Sequence, residues 1–438
     1  MKIDLAYGKT GLTIDLPDDR TSVIEPQFIP GLPDELGAIK TALRNPIGTA
    51  PLRKSVAPGQ NIGISVCDIT RPMPNKRVLP IILNELKHIL PSNITIFIAT
   101  GTHRKNTHSE LISMLGEQPM SGGYNIVNHD AFNRDNLTEV GVTKKNIPVF
   151  LNSDWIKTDF KITTGFVEPH FFAGFSGGPK MIAPGLAGFE TIMKLHDSDM
   201  IGNTKSKWGI TYGNPIHDSI REIATLSPSD FTLDVTINKN HKITSVYGGE
   251  MFQVHKAACE FAHSTAMREV SEPFDIVVTT NSGYPLDMNL YQAVKGMSAA
   301  HQIVKKGGSI ICAAECSDGI PNHGSYGEIL KSQTSPQSLI NMIESSDYQK
   351  HDQWQVQIQA SIQMENDVYI KSDNLSIEQI VEAHLLPTED VSMKVRELLS
   401  KKYQKGTVCV LPEGPQTIPF LSGVDRDGQC RKVRPTNC

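Results

Sequence analysis

An α/β fold, built as two α/β domains with mostly parallel sheets, is predicted by three features of the sequence. An apolar run of strand length, a polar loop and an amphipathic helix recur in that order; the pattern restarts after Ser271-Glu272-Pro273; and 438 residues is long for one domain, where about 150 is usual. The expected domains are residues 1–270 and residues 271–438. Parallel sheets bind ligands outside the carboxyl ends of their strands, which places the expected site on that rim, in the cleft between the domains.

Ile3, Leu5 and Tyr7, then Leu12, Ile14 and Leu16, alternate around Gly8-Lys9-Thr10-Gly11 as a hairpin does. Residues 20–60 are rich in proline and glycine, with one short helix near Ile39 to Leu43. Asn61 to Val66 reads as a strand ending in Asp68-Ile69-Thr70-Arg71-Pro72, followed by helical spacing through Val78, Leu79, Ile82, Leu83, Leu86 and Leu90. Ile94 to Ala99 is a second strand, and Thr100-Gly101-Thr102-His103-Arg104 the loop before a helix from Glu110 to Leu115.

The third strand, Ile162 to Gly165, empties into Glu168-Pro169-His170 and the run Phe171 to Lys180, where glycine and proline forbid regular structure. Here one imidazole and one amine stand ten residues apart among small and apolar neighbours. Taken alone, His170 reads first as a core histidine and Lys180 as a solvated lysine; the functional reading rests on convergence with other residues. The run is not a phosphate-binding Walker loop: Pro179 stands where its second glycine belongs, and Met181 where Ser or Thr should hold magnesium.

Leu186 to Met200 reads as one helix, with Phe189, Ile192 or Met193, and His196 along a face. A helix starts at Asn214-Pro215, a hairpin spans Phe231 to Tyr247 turning at Asn238 to His241, and a longer helix covers Phe252 to Val270. In the second domain the expected elements are the strand Phe274 to Thr280, a helix from Asn289 to Lys305 that presents Tyr291, Gln292 and Lys295 at its start, and a strand from Ser309 to Ala314. A helix from His351 to Met364 and strands Val368 to Lys371 and Thr407 to Leu411 follow, then a polar tail after Pro412.

Composition narrows the function. A net charge of −5, with 39% hydrophobic and 20% charged residues, describes a globular chain without a basic footprint for nucleic acid or anionic membrane. Asp4 interrupts the apolar start, so no signal peptide is read, and no run approaches the ~20 apolar residues of a membrane span. The seven cysteines are scattered, without the paired spacing of a zinc site, which points to the cytoplasm. A small-molecule ligand is the expected partner.

The motifs Asp68-Ile69-Thr70-Arg71-Pro72, Ala99-Thr100-Gly101-Thr102-His103-Arg104, the loop Gly165 to Lys180, His196 and Tyr291-Gln292-Ala293-Val294-Lys295 together resemble the nickel-pincer lactate racemase family. The resemblance runs from the first strand loop into the second domain, in the family's order. It implies a cofactor, a nickel pincer nucleotide (a pyridinium mononucleotide with thioamide and thiocarboxylate arms), covalently attached through Lys180 and supplied by cofactor-synthesis proteins. It further implies that His196 ligates the metal, that His103 and His170 form the acid/base pair, and that Asp68, Ile69, Thr70 and Arg71 contact the cofactor. Arg71, Tyr291, Gln292, Lys295 and Trp354 would then meet the substrate.

The implied chemistry is coherent. Inverting a 2-hydroxy acid by removing and returning hydride needs an electron sink, which no side chain offers, and two bases placed for the two enantiomers. Imidazole titrates near neutrality and can serve as either base, while Arg71 and Lys295 can hold a carboxylate. Lactate is the leading substrate; a larger 2-hydroxy acid such as a sugar acid, or a protein that binds cofactor or hydroxy acid without turnover, are the alternatives. A nicotinamide-dependent dehydrogenase lacks its Gly-x-Gly-x-x-Gly after the early strands, and a zinc hydrolase built on His103 and His108 lacks the helical His-Glu-x-x-His.

Overall fold

A computed structural model describes residues 1–322 and 324–429. The chain divides into two compact units, one of Phe28–His196 and Asn203–Thr265, the other of Met1–Gln27, Asp197–Gly202 and the residues from Ala266 onward. Both are α/β.

The first unit is built on a six-stranded sheet in the order Ile243–Gly249, Phe231–Ile237, Phe160–Phe166, Ile62–Cys67, Ile94–Ala99, Asn125–Asn128. Every pairing is parallel except that of the edge strand Ile243–Gly249. Ile62–Cys67 is buried at all of its residues, as a strand covered on both faces must be. The helix Asn75–Glu85 lays Val78, Leu79 and Ile82 on the sheet, and the capping box of Thr107 and Glu110 starts the next helix, His108–Leu115. His108 is therefore a helix-start residue.

The second unit has a wholly parallel sheet, ordered Leu386–Pro387, Asp367–Lys371, Val304–Ala313, Phe274–Thr280, Val408–Leu411, Thr21–Val23. Its last strand comes from the chain's beginning, and the hairpin Lys2–Leu5 with Leu12–Asp15 packs Ile3, Leu5, Ile14 and Leu16 into the same core. The first 27 residues, counted with residues 1–270 from the sequence, thus fold with the later part of the chain.

Four expected elements differ. The helix read over Leu186 to Met200 is two pieces, Phe189–Leu195 and Ser198–Ile201, because the Asp197 side chain accepts the Met200 N–H and caps a new turn. His196 is therefore a helix terminus, not a mid-helix residue. The helix Met251–Ala266 stops before Met267–Val270, which pairs as a strand with Ile418–Leu421. The helix Leu290–His301 ends early, and Val304–Ala313 takes Lys305, Gly307 and Gly308 into the sheet. Within the tail, Ile418–Leu421 is a partly buried strand rather than surface wrapping; residues 430–438 lie outside the described residues.

Candidate active site

Ile62–Cys67 has Ile94–Ala99 on one side and Phe160–Phe166 on the other. The chain winds first towards one edge of the sheet and later returns to the other, so the carboxyl ends of these strands form a switch point, where adjacent loops diverge and leave room for a ligand. Three loops meet there. The Ser65 hydroxyl donates to the Met181 carbonyl at 2.9 Å, and the Gly101 N–H donates to the Gly185 carbonyl at 3.0 Å.

In the first loop Asp68 is buried and acts on its neighbours. His103 Nδ1 lies 2.8 Å from Asp68 Oδ2, and the Thr70 hydroxyl donates to Oδ1 at 2.8 Å. Burial alone would raise this carboxyl; the His103 hydrogen bond and charge, the Arg71 charge and the Thr70 hydroxyl together hold it below the ordinary range. A carboxylate accepting from Nδ1–H leaves Nε2 as the lone-pair nitrogen of neutral His103, whose side chain is 42% exposed. Ile69 packs partly against the core, and Arg71 is exposed.

The third loop carries the cluster expected around Lys180. Pro169–His170 pairs with Gly174–Phe175 as a minimal hairpin, and His170 Nδ1 accepts the Ala173 N–H at 3.3 Å. Gly177 and Gly178 adopt φ of 75° and 51°, and turn the chain into the short helix Gly178–Met181 that bears Lys180. The Phe172 ring ties the cluster together: its centroid is 4.5 Å from the His170 ring, 5.2 Å from the His196 ring and 5.8 Å from Lys180 Nζ. His196 is buried, and its Nδ1 donates to the Ile192 carbonyl at 2.7 Å. That bond assigns the remaining lone pair to Nε2, the arrangement typical of a metal-binding imidazole.

Beneath this loop lies a set of buried polar residues that sequence reasoning missed. Asn214, His217 and His255 donate to the carbonyls of Phe172, Ala173 and Ser176 at 2.8, 2.9 and 2.9 Å, and Asp234 Oδ2 accepts the Gly178 N–H at 3.0 Å. Burial pushes His255 down to about 4, with the Arg221 and Lys180 charges adding to it; His217 falls too, from burial and then its neighbour His255. Burial raises Asp234 to about 7. The one legible signal was Asp234, a carboxylate inside the strand Phe231–Ile237.

In the second unit the helix Leu290–His301 is capped by Asn289, which accepts the Gln292 N–H at 3.1 Å. Lys295 Nζ donates to Gln292 Oε1 at 2.8 Å, and Trp354 Nε1 to the Tyr291 hydroxyl at 3.3 Å. Gln292 and Lys295 thus pair along one helix, and Tyr291 meets Trp354 from 63 positions away.

Residues 7–209 match the lactate racemase N-terminal domain and residues 270–418 the lactate racemase C-terminal domain. A lactate racemase of Thermoanaerobacterium thermosaccharolyticum is 36% identical over 425 residues, covering 95% of this chain and 98% of that one. A lactate racemase of Lactiplantibacillus plantarum is 32% identical over 418 residues, covering 94% and 98%. The structure of the T. thermosaccharolyticum lactate racemase apoprotein superposes with a TM-score of 0.89 at 35% identity, over 96% of this chain and all of that one (100%). A Thermotoga maritima protein shares the fold at 17% identity, with a TM-score of 0.68 over 90% of this chain and 100% of that one.

Proposed function

From the premise that the chain belongs to the lactate racemase family, we propose that it inverts C2 of lactate by hydride transfer to and from a nickel pincer nucleotide held by Lys180 and His196. The enzyme is an isomerase, a racemase. One observation carries the finer reading: a single ring, Phe172, lies within 5.8 Å of all three expected functional groups of the third loop, His170, His196 and Lys180. The proposal includes a cytoplasmic setting, which the five buried free thiols among the described residues support, and delivery of the cofactor by its synthesis proteins.

The residues present fit that cofactor. His196 offers Nε2, with Nδ1 already engaged by Ile192, and the lysine stands on a turn whose glycines let a ring approach the backbone. One imidazole beside soft sulfur arms suits nickel. The relative solved as an apoprotein is consistent with a group that must be loaded. When bound, the cofactor supplies a reversible acceptor for the C2 hydride.

This chain's residues handle the proton and the carboxylate. His103 takes the hydroxyl proton at Nε2, and buried Asp68 stabilises the imidazolium that forms. His170 returns a proton to the keto oxygen as C2 is reduced again on its other face; the opposite enantiomer runs the roles in reverse. Arg71 anchors the carboxylate by its fork; within the second unit, Lys295 holds Gln292 and Trp354 holds Tyr291, the side chains that the resemblance assigns to the substrate. Phe171 and Phe172, both buried beside His170, keep bulk water from the reacting centre.

The test is the denatured mass of protein made together with the cofactor pathway, combined with chiral analysis of L-lactate. An adduct at Lys180, absent from Lys180→Ala, and decay to equal amounts of both enantiomers are expected. An unmodified chain that retains no nickel and leaves L-lactate unchanged overturns the proposal.

A further inference from the structure

We propose that His217 and His255 are positioning residues of the racemase: buried imidazoles which, with Asn214 and Asp234, fix the backbone of residues 172–178 and thereby set His170 and Lys180. The inference rests on the reading above for what the loop does, and on this chain's geometry alone for how the loop is held.

Among the described residues, the loop itself does not meet the carbonyls of Phe172 and Ser176 and meets that of Ala173 only through the Phe175 N–H at 3.0 Å; a buried carbonyl left unmet is costly. Three side chains from outside the loop donate to the carbonyls of Phe172, Ala173 and Ser176, and a fourth, Asp234, accepts the Gly178 N–H. All four are buried, with exposures of 0% for Asn214, His217 and Asp234 and 5% for His255. The rings of His217 and His255 stack at 5.2 Å with an interplanar angle of 10°, so two helices, Pro215–Leu226 and Met251–Ala266, act on the loop through one paired element.

The path to the functional groups is short. Ala173 gives its carbonyl to His217 and its N–H to His170 Nδ1, so a shift of this residue moves the acid/base ring. Gly178, whose N–H meets Asp234, packs so closely on His255 that a Cβ there would stand 2.5 Å from the ring, and it opens the turn bearing Lys180. A leucine would fill either histidine's space at less desolvation cost. What leucine lacks is the donor.

The two imidazoles use different nitrogens, Nδ1 at His217 and Nε2 at His255, which gives each its own conservative replacement. An asparagine amide reaches about as far as Nδ1 and a glutamine amide about as far as Nε2. The experiment compares His217→Leu with His217→Asn and His255→Leu with His255→Gln. Hydrogen exchange across residues 167–181 is read without cofactor; kcat, KM and Lys180 adduct occupancy are read after loading.

Leucine variants that melt as folded proteins are expected to exchange faster across the loop. They should lose about 100-fold in kcat, the scale of a misplacement near 1 Å, with KM within about threefold and with lower adduct occupancy. Asparagine and glutamine should restore exchange and kcat to within about threefold of wild type. Wild-type exchange in the leucine variants, or amide variants no better than leucine, overturns the proposal. If the leucine variants fail to fold, the amide variants decide: native-like exchange supports the donor role, and fast exchange refutes it. A wild-type protein that takes no adduct and leaves lactate unchanged refutes the functional reading, while the exchange comparison still judges how the loop is held.

Discussion

His103 Nδ1 stands 2.8 Å from Asp68 Oδ2, and that carboxylate is only 2% exposed. A buried anion fixes the imidazole's tautomer, which an acid/base histidine needs. Asp68→Asn keeps the shape and removes the charge. It should lower kcat by about 100- to 10,000-fold with little change in the Lys180 adduct. Because the Asp68 carboxyl is held below its ordinary range, its contribution to stability is present above about pH 4 and is lost as the pH falls through the folded value. The melting difference between wild type and Asp68→Asn should therefore shrink in acid; a constant difference would contradict the assignment.

His103→Ala and His170→Ala should each abolish racemisation while leaving the adduct on Lys180, since neither imidazole holds the cofactor in the proposed scheme. Chiral chromatography of lactate and intact mass report the two properties separately. Full activity in either variant would sink the two-base mechanism.

Asp234 is completely enclosed, and its Oδ1 has no hydrogen-bond partner in the structure, which is why burial raises its carboxyl to about 7. A raised value means that the folded state holds the proton more tightly than the unfolded state between about pH 4 and the folded value. Wild type therefore loses stability as the pH rises through that window, by an amount on the order of 4 kcal/mol in full. An asparagine does not titrate and can still accept the Gly178 N–H. The melting temperature of Asp234→Asn relative to wild type should climb between pH 5 and pH 8, and parallel curves would refute a buried titrating carboxyl.

The central strands of the first unit were legible because they are largely buried apolar runs: Ile94–Ala99, like Phe274–Thr280 in the second unit, carries the bounds the sequence predicts, whereas the polar, half-exposed edge strand Asn125–Asn128 was not read. Helix ends were not. His196 reads as mid-helix until the Asp197 side chain is seen to cap the next turn, and Val304 to Gly308 reads as a helix end although pairing with Phe274–Thr280 draws it into the sheet. The candidate residues were found where motifs are local, as at Asp68 to Arg71. The layer of Asn214, His217, His255 and Asp234 was hidden, because each residue owes its role to a backbone atom about 40 to 80 positions away in the chain. No spacing rule reaches that far.

Gly178 offers the sharpest test of how tightly that layer grips the loop. Its φ of +51° is one that alanine adopts at a cost of about 1 to 2 kcal/mol, and an added Cβ would lie 2.5 Å from His255 Cδ2 and Cγ. The ring cannot retreat without stretching its 2.9 Å bond to the Ser176 carbonyl, so strain in the glycine becomes displacement of the loop. Gly307 supplies the control: its φ is +70°, but nothing lies within 4 Å of an added methyl, so Gly307→Ala should show the backbone cost alone. Gly178→Ala should be destabilised by about 2 to 4 kcal/mol and lose most of its Lys180 adduct, whereas Gly307→Ala should lose about 1 kcal/mol and keep it. Chemical denaturation and intact mass measure both. Equal losses in the two variants would mean that the methyl finds room at Gly178 and that the loop is not gripped from below.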